Sequence, residues 1–402
     1  MKAILCSKWN TRYNNYDVRQ QMLKNISSGE HNRDTTFIER ALGKRVSDVQ
    51  VAQKVHRMEL PREVLIGSNI LPLVGPALKK LGFASTAVTF TGSITRKVAA
   101  EPVADSMREN GIGTTFELVG GSSTEDLTLA QDAIREIRPE VALAVGGGRV
   151  IDITKLASFN ENIPFISIPT TASHDGIASP WASIKGLEKP FSIRAQAPLA
   201  IIADIAKINE APYRFTESGC GDIISKYTAV RDWRLVHKLR DEYYGDYAAN
   251  LALMSAKLIM KNTDIIRRNN EEGVQIVLEA LISCGVAMSI AGSSRPCSGS
   301  EHLFSHALDI AASRPALHGE QCGVGTIMMA YLYGADWKMI RDSLKALGAP
   351  TNAKELQTEP EFIIQALTQA HLIRRERFTI LGENGLSRDA AEKLARATGV
   401  IE

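Results

Sequence analysis

The sequence has no long hydrophobic run and no paired cysteine motif. No stretch approaches the roughly 18 consecutive apolar residues of a membrane-spanning helix, and the apolar run in the first ten residues, MKAILCSKWN, is too short for a signal peptide. The five cysteines show no C-x-x-C spacing, so we expect neither a disulfide framework nor a thiolate zinc site. The absence of a disulfide framework predicts a cytoplasmic location. With 44% hydrophobic and 23% charged residues, disorder along the whole chain is excluded.

The chain also lacks an excess of charge of one sign. Its net charge is +2, which predicts no nucleic-acid or membrane partner. Residues 1–57, however, carry 11 Lys and Arg against 5 Asp and Glu, a net of +6, so residues 58–402 have a net charge of −4. We expect the polar, basic residues 1–57 to be a poorly ordered extension. Either it is a real appendage that contacts anionic surfaces, or Met58 is the true start.

Strand-like and helix-like segments alternate from Met58 to about residue 210. Apolar runs with few charges occur at 85–92, 114–121, 141–148, 164–172 and 198–204, and they predict a parallel sheet covered on both faces. Ser123 and Asp126 have the spacing of a capping box for the helix that follows. Beyond residue 210 nearly every segment has helical periodicity. We therefore predict a Rossmann-like α/β domain over 58–212, an all-α domain over 213–402, and a ligand cleft between them.

A glycine-rich turn follows the third predicted strand. The strand runs into Gly146, Gly147 and Gly148, and a helix then begins. Glycine permits close backbone approach, and a helix N-terminus offers free N–H groups, which both suit a pyrophosphate. The turn is not the G-x-G-x-x-G fingerprint, because Ile151 occupies the third glycine position. The alternative interpretation is a tight turn that needs glycine only for its geometry.

A polar loop follows the fourth predicted strand. Residues 170–179 hold four hydroxyl side chains together with His174 and Asp175. Loops at the carboxyl ends of strands carry ligand sites in open α/β sheets, so we expect a binding loop here. A polar turn without a binding function is the alternative.

Three of the eight histidines fall within 17 residues of the helical half. His302 and His306 share one helix face, and His318 follows. Asp222 stands in what we interpret as the apolar first turn of a helix, where it serves either as an N-terminal cap or as a ligand. One carboxylate plus imidazoles fits a catalytic zinc site with an open position. We assign four cysteines to core packing: Cys220, Cys284, Cys297 and Cys322.

Five segments together resemble those of the sn-glycerol-1-phosphate dehydrogenases of archaea, within the iron-alcohol-dehydrogenase and dehydroquinate-synthase superfamily. The segments are GGGRVID, IPTTASHDGIASPWASI, SGCGDIISKYTAVRDW, PCSGSEHLFSHALD and LHGEQCGVGT. The resemblance extends from Met58 to the C-terminus and excludes residues 1–57. It implies that dihydroxyacetone phosphate is reduced to sn-glycerol 1-phosphate with NADH or NADPH and one zinc ion per subunit. That product is the backbone of archaeal membrane ether lipids. We also expect a homo-oligomer.

The resemblance assigns roles to the polar residues. Asp222, His302 and His318 match the zinc ligands. Asp222, Asp175 and His306 match substrate contacts and are the expected catalytic residues, with His306 relaying a proton to the developing alkoxide.

Lys226 occupies the position where the iron-dependent members of the superfamily have a further histidine ligand, which implies three protein ligands and an open site. We interpret its ammonium as a contact for the substrate phosphate, with surface solvation as the alternative. The positions that match NAD binding are Gly146, Gly147, Gly148, Arg149, Val150, Ile151, Asp152, Thr170, Thr171, Ala172, Ser173 and Ser179.

Other functions remain open at this point. Glycerol dehydrogenase has the same scaffold and metal but an unphosphorylated substrate. A dehydroquinate-synthase-like cyclase uses NAD only transiently, and a non-catalytic nucleotide sensor needs the glycine turn but not the metal ligands. The turn at 91–95 contains no carboxylate to repel a 2′-phosphate, so we expect NADPH to be accepted alongside NADH.

Overall fold

The computed structural model describes residues 56–184 and 193–402. The predicted extension over residues 1–57 therefore lies almost entirely outside the described residues. Residues 57–402 pack as one compact unit. The division at 212/213 stays a prediction.

A six-stranded, fully parallel sheet forms the first part of this unit. Its strands are β1 (Glu63–Gly67), β2 (Thr86–Thr91), β3 (Gly113–Leu118), β4 (Val141–Gly146), β5 (Phe165–Pro169) and, after two short strands, β8 (Ala200–Asp204). Their spatial order is β1-β8-β5-β4-β2-β3. The short strands β6 (Trp181–Ala182) and β7 (Ile193–Arg194) pair antiparallel. All five predicted strands are present. Sequence reasoning missed β1, a half-buried edge strand without a charge-free run.

Helices cover both faces of this sheet. They are α1 (Val74–Lys80), α2 (Glu101–Glu109), α3 (Thr124–Ile137), α4 (Gly148–Asn160) and α5 (Ile205–Asn209). The helical turn Ser93–Thr95 and the π-helical turn Arg96–Ala100 lead into α2. The predicted capping box is confirmed, because the Ser123 N–H donates to Asp126 Oδ2 over 3.0 Å and the Asp126 N–H donates to Ser123 Oγ over 3.2 Å.

The second part is helical, as predicted. Its helices are α6 (Tyr213–Arg240), α7 (Asp246–Lys261), α8 (Thr263–Arg267), α9 (Glu271–Ala291), α10 (Ser300–Ala311), α11 (His318–Leu332), α12 (Trp337–Leu347), α13 (Pro360–Ile373) and α14 (Arg388–Ala397). Because α6 begins at Tyr213, the placement of Asp222 in a first turn was wrong. The carboxylate lies well inside the helix, so it cannot be an N-terminal cap.

Helix α9 is the one described helix long and apolar enough to span a membrane by length and composition. In that stretch 67% of the residues are buried inside the fold. A helix that is apolar on all sides and mostly buried is typical of a protein core. Such a core helix can be as long and as apolar as a membrane-spanning one.

The two faces of the sheet pack against different parts of the chain. On β4, Val141, Leu143 and Val145 belong to an apolar cluster with α1 and α2. The alternating residues Ala142 and Ala144 belong to the larger cluster that includes the second-half helices. Alternation along a strand sends successive side chains to opposite faces. The face of β4 that carries the small Ala142 and Ala144 is therefore the one that packs in this larger cluster.

Helices α6 and α11 touch backbone to backbone through two glycines. A Cβ at Gly221 would lie 2.2 Å from the Gly319 carbonyl oxygen, and a Cβ at Gly319 would lie 1.8 Å from the Ser218 carbonyl oxygen. Real Cβ atoms do not come within 3.0 Å of such an atom. Because Asp222 follows Gly221 and His318 precedes Gly319, this contact sets the distance between that carboxylate and that imidazole.

Substitution of Gly221 by alanine tests this contact. We expect Gly221→Ala to lower the free energy of unfolding by about 1–3 kcal/mol, because the new methyl group meets a carbonyl oxygen and the helices must separate. Urea unfolding followed by circular dichroism measures the change. Gly323→Ala is the matched control in α11, since its Cβ would lie 3.2 Å from the movable Leu344 Cδ2. Equal losses in the two variants would contradict the close-contact argument.

Candidate active site

A pocket opens where the carboxyl edge of the sheet meets the helical part. Residues from both parts of the unit line it, among them Asp152, Asp175, Ser179, Ser298, His302 and His318. It thus joins residues of the predicted nucleotide site to residues of the predicted metal site in one cavity, as the predicted cleft requires.

The glycine turn lies at the point where the strand order reverses. Strand β4 pairs with β2 on one side and with β5 on the other, so the chain changes direction across the sheet between β2 and β4. Ligands of open parallel sheets bind at such a switch point, outside the carboxyl ends of the strands. Helix α4 starts here with Gly147 as N-cap, and no side chain of the described residues caps it. Its first N–H groups and dipole therefore suit an anionic phosphate.

The residues predicted to contact NAD differ in how far they are exposed to the pocket. Val150 and Ile151 are buried in the core cluster, so only their backbone could meet a ligand. The Asp152 carboxylate is also largely buried, where it accepts bonds from Lys155 Nζ over 3.1 Å and from the Ser183 N–H over 3.0 Å. Asp152 and Ser179 nevertheless line the pocket.

The loop over residues 170–179 packs against the glycine turn. A Cβ at Gly148 would lie 1.7 Å from His174 Nε2, so glycine is required there for the imidazole to fit. The Gly176 N–H donates to His174 Nδ1 over 2.9 Å, which fixes the ring over the turn. The neighbouring residue, Asp175, faces the other way, towards α6.

A buried ammonium group connects Asp175 to Asp222. Lys226 Nζ lies 2.8 Å from Asp175 Oδ2 and 2.6 Å from Asp222 Oδ1, and the lysine has no exposed surface. The Asp175 N–H also donates to Asp222 Oδ2 over 2.9 Å. The alternative of a surface-solvated Lys226 is therefore wrong. With both carboxylates in contact, the ammonium holds them together, which is a different role from the predicted phosphate contact.

The charges of this trio stabilise one another. Burial raises the pKa of Asp222, but the charges of Lys226 and His302 outweigh burial and hold it well below its usual range. Burial lowers the pKa of Lys226, but the two carboxylates hold it well above its ordinary value. Asp222 and Lys226 therefore stay ionised across the neutral pH range.

Four potential metal ligands converge next to this trio. One ligand atom from each of Asp222, His302, His318 and Cys322 lies within 4.8 Å of the other three. His302 Nε2 is 3.5 Å from Asp222 Oδ1. The burial predicted for Cys220, Cys284, Cys297 and Cys322 is confirmed. Core packing alone was nevertheless an incomplete interpretation of Cys322, because it stands four residues after His318 and faces the same cluster.

The two clustered imidazoles differ in proton affinity. Burial lowers the pKa of His302, but the Cys322 sulfur, Asp222 and Glu301 raise it well above its usual value. Burial and the charge of His302 hold the pKa of His318 well below its usual value. His318 is thus neutral at pH 7. The negative potential around His302 would attract a metal cation as it attracts a proton.

Sequence reasoning missed Glu301, which orients His302. Its Oε1 lies 2.9 Å from His302 Nδ1, and it also accepts the Gly299 N–H and the Thr228 hydroxyl. A carboxylate on Nδ1 leaves Nε2 as the ligand atom and raises its basicity. The adjacent Glu-His pair at a helix start was the available signal for this role.

His306 lies beside the cluster. Its ring stacks on that of His318 with centroids 5.7 Å apart, and its Nδ1 is 3.8 Å from Asp309 Oδ2. Burial lowers the pKa of His306, and Asp309 offsets part of that effect. His306 is not one of the four clustered ligands. Its position therefore suits proton transfer at the pocket wall.

The fold and the site together define a dehydrogenase of the iron-containing alcohol dehydrogenase class. The family model for iron-containing alcohol dehydrogenase matches residues 65–212. The crystal structure of glycerol dehydrogenase from Schizosaccharomyces pombe has a TM-score of 0.72 at 21% identity, and the match covers 86% of this chain and 90% of that one. The crystal structure of sulfoacetaldehyde reductase from Bifidobacterium kashiwanohense in complex with NAD+ has a TM-score of 0.67 at 16% identity. That match covers 87% of this chain and 100% of that one. These likenesses confirm the predicted fold.

Two curated relatives define the family more closely. Glycerol-1-phosphate dehydrogenase (NAD(P)+) of Pyrococcus abyssi is 54% identical over 347 residues, 86% of this chain and 100% of that protein. The protein of the same name from Methanosarcina mazei is 54% identical over 344 residues, 86% of this chain and 96% of that protein. The chain therefore belongs to the glycerol-1-phosphate dehydrogenase family, and it is an oxidoreductase that uses a nicotinamide cofactor.

The role of Glu301 can be measured as metal affinity. We expect Glu301→Gln to weaken Zn²⁺ binding by about 10–100-fold, because a neutral amide polarises His302 less than a carboxylate does. Competition with a chromophoric chelator measures the affinity without reference to activity. Glu242→Gln is the control, since Glu242 pairs with Arg295 and not with any of the four clustered residues. Wild-type affinity in Glu301→Gln would refute the role.

Proposed function

We propose that this protein reduces dihydroxyacetone phosphate to sn-glycerol 1-phosphate with NADH or NADPH and a bound zinc ion. The observation that carries the proposal is a pocket lined on one side by Asp152 and Ser179, which match NAD-binding positions, and on the other by His302 and His318 of the potential metal cluster. Membership of the glycerol-1-phosphate dehydrogenase family supports the same reaction.

The donor set fits a divalent metal of borderline softness. It combines a carboxylate oxygen with imidazole nitrogens in a buried site, which is typical of catalytic zinc. When bound, zinc supplies Lewis-acid polarisation of the substrate ketone, and the nicotinamide supplies the hydride. Asp222, His302 and His318 would hold the metal.

The chain's own residues would position the substrate and move the proton. The Lys226 ammonium holds the Asp175 and Asp222 carboxylates in fixed orientation, so that both can accept hydrogen bonds from a substrate hydroxyl. His306 would relay a proton from solvent, since one ring nitrogen can donate its proton to the developing alkoxide while Nδ1, on the side of Asp309, accepts a proton from water.

Arginines behind one pocket wall favour a phosphorylated substrate. Ser294 and Ser298 line the pocket. The Arg377 guanidinium donates to the Ser294 hydroxyl over 2.7 Å and to the Ser298 carbonyl over 2.5 Å. Burial, Arg374 and Arg295 lower the pKa of Arg377 to about 9. Glu242 pairs with Arg295, but Arg377 bonds only neutral oxygens of Ser294 and Ser298 and would therefore attract an anionic group in the pocket. Glycerol dehydrogenase activity, the first alternative, has no use for such charge.

The remaining parts of the proposal extend beyond the site. The turn from Thr91 to Thr95 follows β2 at the switch point and carries no carboxylate, which supports use of NADPH as well as NADH. We also propose a homo-oligomer in the cytoplasm, a nucleotide-binding domain over 58–212 and a metal- and substrate-binding domain over 213–402.

The decisive assay compares substrates and cofactors. We expect NADH and NADPH to be oxidised with dihydroxyacetone phosphate far faster than with dihydroxyacetone at matched concentration, because the Arg377 guanidinium lies directly behind one pocket wall. Stereospecific analysis should identify the product as sn-glycerol 1-phosphate. Removal of metal with a chelator should abolish turnover, and zinc should restore it.

Each contrary result identifies a rival. Preference for dihydroxyacetone would make the protein a glycerol dehydrogenase. Absence of net NAD(P)H consumption would favour a cyclase or a nucleotide sensor. Full activity after complete metal removal would refute the proposed zinc chemistry.

The proton-transfer role of His306 has its own test. We expect His306→Ala to lower kcat by about 100-fold or more, because general acid–base catalysis contributes at least this much, while the zinc content stays unchanged. His302→Ala is the comparison variant and should lose zinc as well as activity. Loss of zinc from His306→Ala would instead identify His306 as a ligand.

A further inference from the structure

We propose that an exposed apolar stripe on α7 is a dimer interface, against which a second copy of this chain packs its own α7 in antiparallel orientation. The inference rests on the homo-oligomer of the proposed function and gives that oligomer an interface. It is independent of the proposed chemistry, because α7 carries none of the residues that line the pocket.

Four apolar side chains form this α7 stripe. Tyr247, Met254 and Leu258 are 73%, 60% and 39% exposed, and Leu251 is partly buried. From Tyr247 to Leu258 they stand four, three and four residues apart, which is the spacing of the a and d positions of a coiled coil. Side chains at this spacing lie in one row along a helix, so the stripe is about 16 Å long.

The other faces of α7 are already packed in the fold. The helix lies against α6 and α9, and most of its buried residues are small: Ala248, Ala249, Ala252, Ser255 and Ala256. An ordinary surface helix turns its large apolar side chains towards the core and polar ones towards water. In α7 large apolar side chains are exposed instead, and an exposed row of this kind marks an interaction surface.

The charges at the two ends of α7 favour a second copy of the chain as the partner. Asp246 stands in the first turn, Lys261 in the last turn and Lys257 one turn earlier, and all three are exposed. When two copies of α7 pack antiparallel, the carboxylate of each lies beside the ammonium groups of the other. A parallel pair would bring like charges together. The surface is therefore self-complementary about a two-fold axis, as a homodimer interface requires.

The same arrangement pairs the apolar side chains. With the two helices centred on the middle of the stripe, Tyr247 faces the partner's Leu258 and Leu251 faces the partner's Met254. Tyrosine and methionine are enriched at the centres of protein interfaces. A lipid surface is a poorer fit, because a helix that lies on a membrane turns a polar face towards water, whereas the remaining faces of α7 are packed against α6 and α9.

A charge placed in the stripe tests the interface. We expect Met254→Lys to raise the dimer dissociation constant by about 30-fold or more, because it buries unpaired ammonium groups at the centre of the contact. Sedimentation velocity over a dilution series of the full-length protein measures the change, and circular dichroism verifies the fold. Leu129→Lys is the matched control, since Leu129 is 70% exposed on α3 and lies outside the stripe.

A charge exchange tests the antiparallel orientation. We expect Asp246→Lys to weaken association by about 3–10-fold, because it sets like charges side by side at both ends of the contact. Addition of Lys257→Asp and Lys261→Asp to that variant should restore association, since opposite charges then face one another again.

The outcomes are separable. An assembly that Met254→Lys leaves intact, or that Leu129→Lys weakens equally, overturns the α7 interface and leaves the proposed homo-oligomer standing. Failure of the charge exchange to restore association overturns the antiparallel orientation. A monomeric wild type overturns the interface and the homo-oligomer together, and it leaves the proposed reaction untouched. Should Met254→Lys fail to fold, Asp246→Lys and its charge exchange decide.

Discussion

The burial of one ammonium group between two carboxylates constrains the rest of the site. Transfer of each of these charges out of water costs several kcal/mol, and only close partners offset that cost. Lys226 therefore cannot stay in its helix unless Asp175 and Asp222 are both in contact with it. Since Asp175 belongs to the loop after β5 and Asp222 to α6, the trio locks the edge of the sheet to the first helix of the second part.

A second buried lysine holds the same loop from the other side. Lys155 Nζ in α4 donates to the Gly176 carbonyl over 2.7 Å, to the Trp181 carbonyl over 2.6 Å and to the Asp152 carboxylate. The loop thus has one fixed ammonium on its α4 side and one on its α6 side. Two directional, desolvated contacts leave it little freedom, so the residues that face the glycine turn and those that face the metal ligands keep a constant separation.

Sequence patterns predicted what depends on local order along the chain. The charge-free strands, the capping box at Ser123 and the helical second half all follow from short-range periodicity, and the Asp222, His302 and His318 cluster was found from residue type and spacing. The patterns failed to predict features that depend on contacts between segments distant in the sequence. The burial of Lys226 requires Asp175, 51 residues away. The start of α6 was placed too close to Asp222, whereas the glycines at 219 and 221 lie inside the helix and serve its contacts with the loop and with α11.

The same glycines explain why the potential metal ligands lie on helices that cross without a gap. A ligand atom at the end of a short Asp side chain reaches an imidazole on another helix only if the two backbones nearly touch. The contact between Gly221 and the Gly319 carbonyl provides this approach, and it leaves no room for a water layer. Burial and the charge of His302 lower the pKa of His318, and Cys322, one turn further along α11, is brought to the same cluster. The backbone contact thus brings Asp222, His318 and Cys322 together in one cluster.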